Sequence, residues 1–483
     1  MTRALLLSAS LFQLLTAGPD TPPIIAVAAG ADLQAAIDGA RPGDTLALEP
    51  GATYVGNFTL PRHEGDAFIT IRTAAVSGLP GAGERIQPAH ASQLAKLRSP
   101  NKQPVLATRP GAHHWRLELL EFLPTADGFG DIITLGDGSP AQNALALVPH
   151  ALEIDRCFIH GDPANGQKRG IALNSGDTAI TGSYVSDIKA VGQDAQAIAG
   201  WNGPGPYRIE NNYLEAAGEN FLLGGADPAV EGLVPEGLVF RRNHLAKPLA
   251  WRGQTWQVKN LFELKNARRA LVEHNLMEHA WAQAQSGYAV LLTPRNQDGS
   301  APWATVEDVI FRHNVVRRAG GGMQITGEET DRPSGSSRRI TISDNLFYGI
   351  DGRAWGGAGV FLLIGEGPAQ VVVERNTIDQ TGNIVSAFGG TREVPVPIRG
   401  FVFRNNVVRH NAYGVHGADR AVGADTLAAF FPGAVFEGNV IAGGDPRRYP
   451  ERNRFVSDED FAARLRAALD ASESATIAKA TAR

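Results

Sequence analysis

The sequence predicts an all-β chain wound as a single-stranded right-handed parallel β-helix of about ten coils, with three strands per coil, an N-terminal capping helix and a short C-terminal helix. Three observations predict it. A phrase of apolar residue, two variable residues, Asn, one variable residue and apolar residue recurs, as at residues 209–214, 240–245 and 272–277. Its Asn falls at Asn212, Asn243, Asn275, Asn314, Asn345, Asn376, Asn406 and Asn439, at spacings of 30 to 39 residues. A period in this range is the signature of stacked identical units. Each unit holds three short apolar runs of period-two character, such as residues 309–311, 315–316 and 323–325, with no capped helical stretch.

The elements follow in order. Residues 1–18 read as a secretory leader: Arg3 supplies the charge, residues 4–17 the apolar stretch and Ala17-Gly18 the small-residue exit. The stretch is too short to span a bilayer, so a secreted or periplasmic protein is expected. Residues 19–455 are assigned to the β-helix with its N-terminal cap. In that cap Asp32 starts a short amphipathic helix, Gly39 ends it, and the Leu46/Leu48 and Phe58/Leu60 alternations open the strands. The Asn of each phrase belongs at the bend between the second and third strands, where it tolerates left-handed backbone and bonds to the Asn one coil on. Its role is therefore structural.

Weaker copies at residues 154–159 and 180–185 put Cys157 and Ser183 in the Asn slot, and residues 117–122 suggest an earlier coil. Ten or eleven coils at about 4.8 Å make a rod roughly 50 Å long. Residues 456–483 form a helical tail: Ser457 and three acidic residues start an amphipathic helix expected to close the far end, and the last dozen residues are expected to be disordered.

Composition narrows the class. The repeat fills nearly all of the 483 residues, so one elongated domain is expected rather than three, and 43% hydrophobic content can fill its interior. With 45 basic against 50 acidic residues there is no basic surplus to neutralise phosphates, which argues against a nucleic-acid partner. A single cysteine rules out an internal disulfide, and Cys157 reads as a buried apolar residue.

Residues 31–61 resemble the N-terminal cap of the pectate-lyase-like superfamily of secreted β-helix proteins, in which a helix plugs the open end of the solenoid. The resemblance implies a scaffold that hosts several reactions.

Function is expected on one face, along the strands that precede long loops: residues 221–227, 261–267, 290–296, 323–329, 361–367 and 413–419. Phe262/Leu264, Val290/Leu292, Met323/Ile325 and Phe361/Leu363 are expected to point inward. Asp227, Glu263 with Lys265, Arg295, Glu328 with Glu329, and Glu366 then line one outer edge, a coil apart. β-Elimination from a uronate polymer needs the sugar carboxylate neutralised and a base tuned toward ambient pH. Lys265 is the expected base, Arg295 the acid or carboxylate clamp, and Glu328 a third catalytic group. Glu263, Asp227 and Asn220 are candidate Ca2+ ligands, since calcium takes hard oxygen donors. Asp194, Gln196, Trp201, Asn202, Trp303 and Glu366 are candidate substrate-binding residues, while Lys259, Arg268 and Arg269 are expected to anchor loops.

The stretches 262–266 and 290–296 resemble, in part, the chondroitinase B and alginate lyase branch of the superfamily, where a Glu-bearing strand leads to a Lys base and the next coil ends in an Arg. In that branch a His follows the Arg; here the position is Asn296. A second polar cluster, Asp187, Lys189, Gln193, Asp194 and Gln196 followed by Glu219-Asn220, faintly resembles the turn of polygalacturonase-type hydrolases. An inverting hydrolase on paired carboxylates therefore stays open. So do a non-catalytic carbohydrate-binding rod and a plain solvated charge ladder. The expected partner is an acidic polysaccharide, and a monomer is expected.

Overall fold

The computed structural model describes residues 23–391 and 393–472. The expected leader and the end of the C-terminal tail lie outside the described residues. The chain winds through three all-parallel sheets of 12, 14 and 14 strands, called here the first, second and third in the order the chain visits them from the candidate site. One coil runs Glu219–Leu223, Glu236–Arg241, His244–Ala246, and the next begins at Phe262–Leu264. Each strand pairs with its counterpart one coil on: Phe262 opposes Val290, which opposes Met323, which opposes Leu362. The rod is longer than the ten or eleven coils counted from repeats, because the first coils carry no Asn phrase.

The interior is a continuous apolar stack. Phe221 and Phe262 lie parallel with centroids 5.5 Å apart, and Phe240 meets Phe262 edge-on at 5.1 Å. Most of the expected inward pairs are fully buried, including Phe262, Leu264, Val290, Leu292, Met323 and Ile325. Leu363 is a correction: the register puts Leu362 and Ile364 inward, so Leu363 faces out, where it packs beside Tyr288, Leu291 and Val360. The alternation slipped by one residue because Phe361, at the preceding corner, is itself buried.

The Asn ladder lies between the second and third sheets. The backbone N–H and side-chain amide of Asn212 both donate to Oδ1 of Asn243, at 2.9 and 3.0 Å, and the pattern repeats through Asn439 to Asn453. Backwards it continues through Ser183, whose N–H donates to Asn212, and Cys157, whose N–H donates to Ser183 Oγ. The left-handed residue is not the Asn but the one before it: Asn211, Arg242, His274, His313, Asp344, Arg375 and Asn405 have φ between 54° and 57°. The Asn side chain is turned into the stack, buried and fully bonded, and its outward-pointing neighbour absorbs the turn.

At the N-terminal end the helix Leu33–Gly39, capped by Asp32 through a 3.0 Å bond from the Ala35 N–H, buries Leu33, Ala36 and Ile37 in the core. The C-terminal helix departs from expectation. Asp458–Ser472 does not close the end; it lies along the side of the rod against strands Leu346–Ile350, Thr377–Gln380, Val407–Arg409 and Val440–Ala442 of the third sheet. Leu465, Ala468 and Leu469 cover Leu276, Val315 and Leu346 there. A shorter helix, Ala424–Phe430, instead buries Thr426, Leu427 and Phe430 against the last strands of the first sheet.

Candidate active site

The first sheet carries a cavity of about 530 Å3 on its outer face, and it gathers six of the expected groups: Glu263, Lys265, Arg295, Glu328, Glu329 and Glu366. Their placement follows from strand register. Glu263 sits in the middle of Phe262–Leu264, opposite Leu291, and Lys265 follows the strand on the same face. The Arg295 N–H donates to the Lys265 carbonyl at 3.0 Å, so the two cations emerge one above the other on adjoining coils. The same holds for Glu328, whose N–H donates to the Glu366 carbonyl at 3.0 Å.

Each cation has its own carboxylate. Lys265 Nζ lies 3.1 Å from Glu263 Oε1, and Arg295 Nη1 lies 2.5 Å from Glu329 Oε1. Glu329 is fixed in turn by the Asn296 N–H at 2.8 Å, and Arg295 also donates from Nε to Gln297. Glu263 is 0% exposed, so its pair with Lys265 is a buried one, whereas Glu328 is exposed. Glu328 and Glu366 differ: among the described residues their carboxylates carry no hydrogen bond or ion pair.

On the coil before, in line with Asn260, lies a second buried carboxylate, Glu219. Burial pushes its pKa up, and the nearby Glu263 carboxylate adds to this, while Lys259 at 3.4 Å pulls it down. The Asn260 amide donates to Glu263 Oε2 at 3.2 Å, while its own Oδ1 is buried without a hydrogen-bond partner; Glu263 Oε1 faces the Lys265 ammonium. Sequence reading missed Asn260, which bonds Glu263, and Tyr288, which lines the cavity, because both stand just before the strand segments used to align the coils. Counting back along the register from Glu263 and Leu291 recovers both.

The expected calcium set does not assemble. Asn220 is turned inward, its Oδ1 accepting from the buried Lys247 ammonium at 2.9 Å and its amide donating to Leu214 and Ala246 carbonyls. Lys247 also donates to the carbonyls of Ala216, Ala217 and Gly218, and burial brings its pKa down to about 7. Asp227 staples a loop instead, accepting from the Asp298 and Ser300 N–H groups and the Ser300 hydroxyl. Among the described residues no group of three or more His, Cys, Asp or Glu is arranged to hold a metal ion. Asn260 bonds Glu263, with Glu219 nearby on the coil before; Asn260 Oδ1 is buried without a hydrogen-bond partner, and hard oxygens such as these are what a cation like calcium takes.

Several expected substrate contacts are structural. Asn202 is 0% exposed and ties loops together, donating to the Asp137 and Gln142 carbonyls and accepting from Val230. Trp201 and Trp303 spend their indole N–H groups on the Gly138 and Leu233 carbonyls, and the Arg169 guanidinium lies 5.0 Å over the Trp201 ring. Gln196 is buried and bridges Arg169 to Glu219, and Asp194 accepts from Gln257 and Lys259, so both buttress the floor from the preceding coil. Arg268 and Arg269 are strand residues of the second sheet, not loop anchors, and pair with Glu236.

No protein-family model matches the chain, and no curated protein does. Among solved structures, a mannuronic acid specific polysaccharide family 6 lyase from human gut microbiota aligns over 94% of this chain and 95% of its own, at 14% identity and a TM-score of 0.54. The fold is a three-sheet parallel β-helix. An alginate lyase from Paenibacillus sp. aligns over 82% of this β-helix and 97% of its own chain, at 14% identity and a TM-score of 0.35. The catalytic domain of a GH87 α-1,3-glucanase aligns over 89% of the β-helix and 70% of its own chain, at 12% identity and a TM-score of 0.47. Identities this low leave the scaffold as the shared property. Among the described residues no helix of the β-helix is long and apolar enough to cross a membrane.

Proposed function

We propose that this chain is an exported polysaccharide-cleaving enzyme that breaks a uronic-acid-containing chain by β-elimination. The observation that carries the reading is the Lys265–Arg295 pair, stacked on adjoining coils by the 3.0 Å backbone bond and opening into one cavity. A full-length likeness in fold to a mannuronate-specific lyase is consistent with it.

In this reading Lys265 takes the proton beside the sugar carboxylate, and Arg295 faces that carboxylate as a bidentate donor. Glu263 and Glu329 hold the two side chains in place before substrate arrives, which limits the entropy lost on binding. Glu328 and Glu366, on the next two coils, accept from sugar hydroxyls. A divalent cation, if bound, would be held by Glu219, Asn260 and Glu263, and would supply positive charge toward the uronate and offset the carboxylate excess of the floor.

One observation favours a second reading. Glu328 and Glu366 are partnerless carboxylates on adjoining coils at one cavity wall, the arrangement an acid/base pair of an inverting hydrolase requires. The experiment that separates the two is incubation with pectic, alginate and glycosaminoglycan polymers, following ultraviolet absorbance and reducing ends together. Absorbance that is lost in Lys265→Ala supports elimination. Reducing ends without absorbance, lost in Glu328→Gln or Glu366→Gln, support hydrolysis, and neither signal leaves a binding rod.

A further inference from the structure

Tyr288 opens the first-sheet strand Tyr288–Leu292, on the coil above Lys265 and the same coil as Arg295. Its ring is 6% exposed and packs with Leu291, Val360 and Leu363, the outward apolar stripe of the sheet. The next coil makes room for it: a Cβ on Gly321 would stand 2.5 Å from the ring, so glycine there is a requirement of the tyrosine. The residue lines the same cavity as Lys265 and Arg295, yet among the described residues its hydroxyl has no hydrogen-bond partner. The hydroxyl oxygen is not among the buried partnerless atoms, so it opens onto the cavity while the ring behind it is buried. A phenol held rigidly by an apolar stripe and left with its donor unspent at a cavity is placed for a partner that arrives with the substrate.

We propose that the Tyr288 hydroxyl is the proton donor to the leaving glycosidic oxygen. This rests on the β-elimination reading. The step balances without a co-reactant. Lys265 Nζ, having first given its own proton to solvent, accepts the proton from the carbon beside the sugar carboxylate, and that C–H electron pair forms the new carbon–carbon double bond. The bond from the adjacent carbon to the glycosidic oxygen breaks, and its electrons go to the oxygen, which takes the phenolic proton. One product is an unsaturated uronate, the other carries a free anomeric hydroxyl. The lysine ammonium then returns a proton to the phenolate through solvent.

Arg295 suits this step less well. A guanidinium stays protonated throughout the accessible pH range, and this one is engaged by Glu329 and Gln297. A phenol, whose pKa here is pushed up to about 12 by burial, is nearer that of a sugar alkoxide and is well matched to it as an acid. Arg295 is thereby left to the sugar carboxylate.

The test is Tyr288→Phe, which removes only a partnerless hydroxyl and should leave thermal stability unchanged. On polymer, kcat should fall by about 100-fold or more, and the alkaline limb of the kcat pH profile should disappear. On a short uronate bearing an aryloxy leaving group, which departs without protonation, the variant should recover to within a few-fold of wild type, whereas Lys265→Ala should not. Polymer activity of Tyr288→Phe close to wild type overturns the proposal, as does an equal loss on polymer and aryl substrate. Failure of wild type to form any unsaturated product overturns the β-elimination reading itself, and this role with it.

Discussion

The ammonium of Lys265 lies 3.1 Å from a Glu263 carboxylate that is entirely removed from solvent. Deleting one member of a buried pair strands the other charge, at a cost of roughly 3 to 5 kcal/mol. Lys265→Met should therefore lose activity and also lower Tm, while Lys265→Met combined with Glu263→Gln should regain stability without regaining activity. Calorimetry beside the absorbance assay checks this; a double variant as unstable as the single one would show that the pair is not coupled.

Asn275 stands mid-ladder. Its Oδ1 accepts from the N–H and the amide of Asn243, and its own amide donates to the Phe240 carbonyl and to Asn314. Asn275→Ala should leave several buried groups unsatisfied, costing about 3 kcal/mol or more. Ser183→Ala, which removes one acceptor near the start of the ladder, should cost about 1 kcal/mol. Equilibrium denaturation of the two variants gives the comparison.

Glu278 supplies a pH dependence away from the site. Burial alone would raise its pKa, but hydrogen bonds from His244 and Arg317, at 2.7 Å each, and their charges bring it from 4.5 down to about 2. A carboxylate whose folded pKa is depressed contributes stability above its unfolded pKa. That stability is lost as pH falls from about 4.5 toward 2, and it is worth on the order of 3 kcal/mol. Glu278→Gln should lower Tm at pH 7 and flatten its decline below pH 5 in thermal melts.

The partnerless oxygen of Asn260 gives a ligand prediction. Ca2+ should raise Tm of the wild type and a chelator should reverse the rise, by linkage to the folded state. Asn260→Ala and Glu219→Gln should abolish the response, and terbium luminescence would read binding directly. A wild-type Tm indifferent to both Ca2+ and chelator would remove the cation from the mechanism.

The fold was legible because a solenoid repeats its constraints: the Asn slot and the apolar alternation recur often enough to fix the coil. Lys265, Arg295, Glu328 and Glu366 were legible for the same reason, being placed by register. Asp227, Asn202 and Trp201 were not, because a loop residue's partners come from other loops, which obey no period; Asn220 was not, because within its strand it is turned inward to Lys247. The polar residues at 202, 220 and 227 are consumed by carbonyls, amides and Lys247, contacts that spacing cannot reveal. Tyr288 escaped because a tyrosine at a strand start looks like ordinary packing until its hydroxyl is found without a partner.

The helix Asp458–Ser472 spans four successive coils of the third sheet, and a stack held only by neighbour-to-neighbour pairing could otherwise unzip one coil at a time from its open end. A strap across several coils ties their fates together. Unravelling from the C-terminus must first peel this helix away, so the last coils open as one cooperative block, and a protease meets a strapped edge instead of a fraying one.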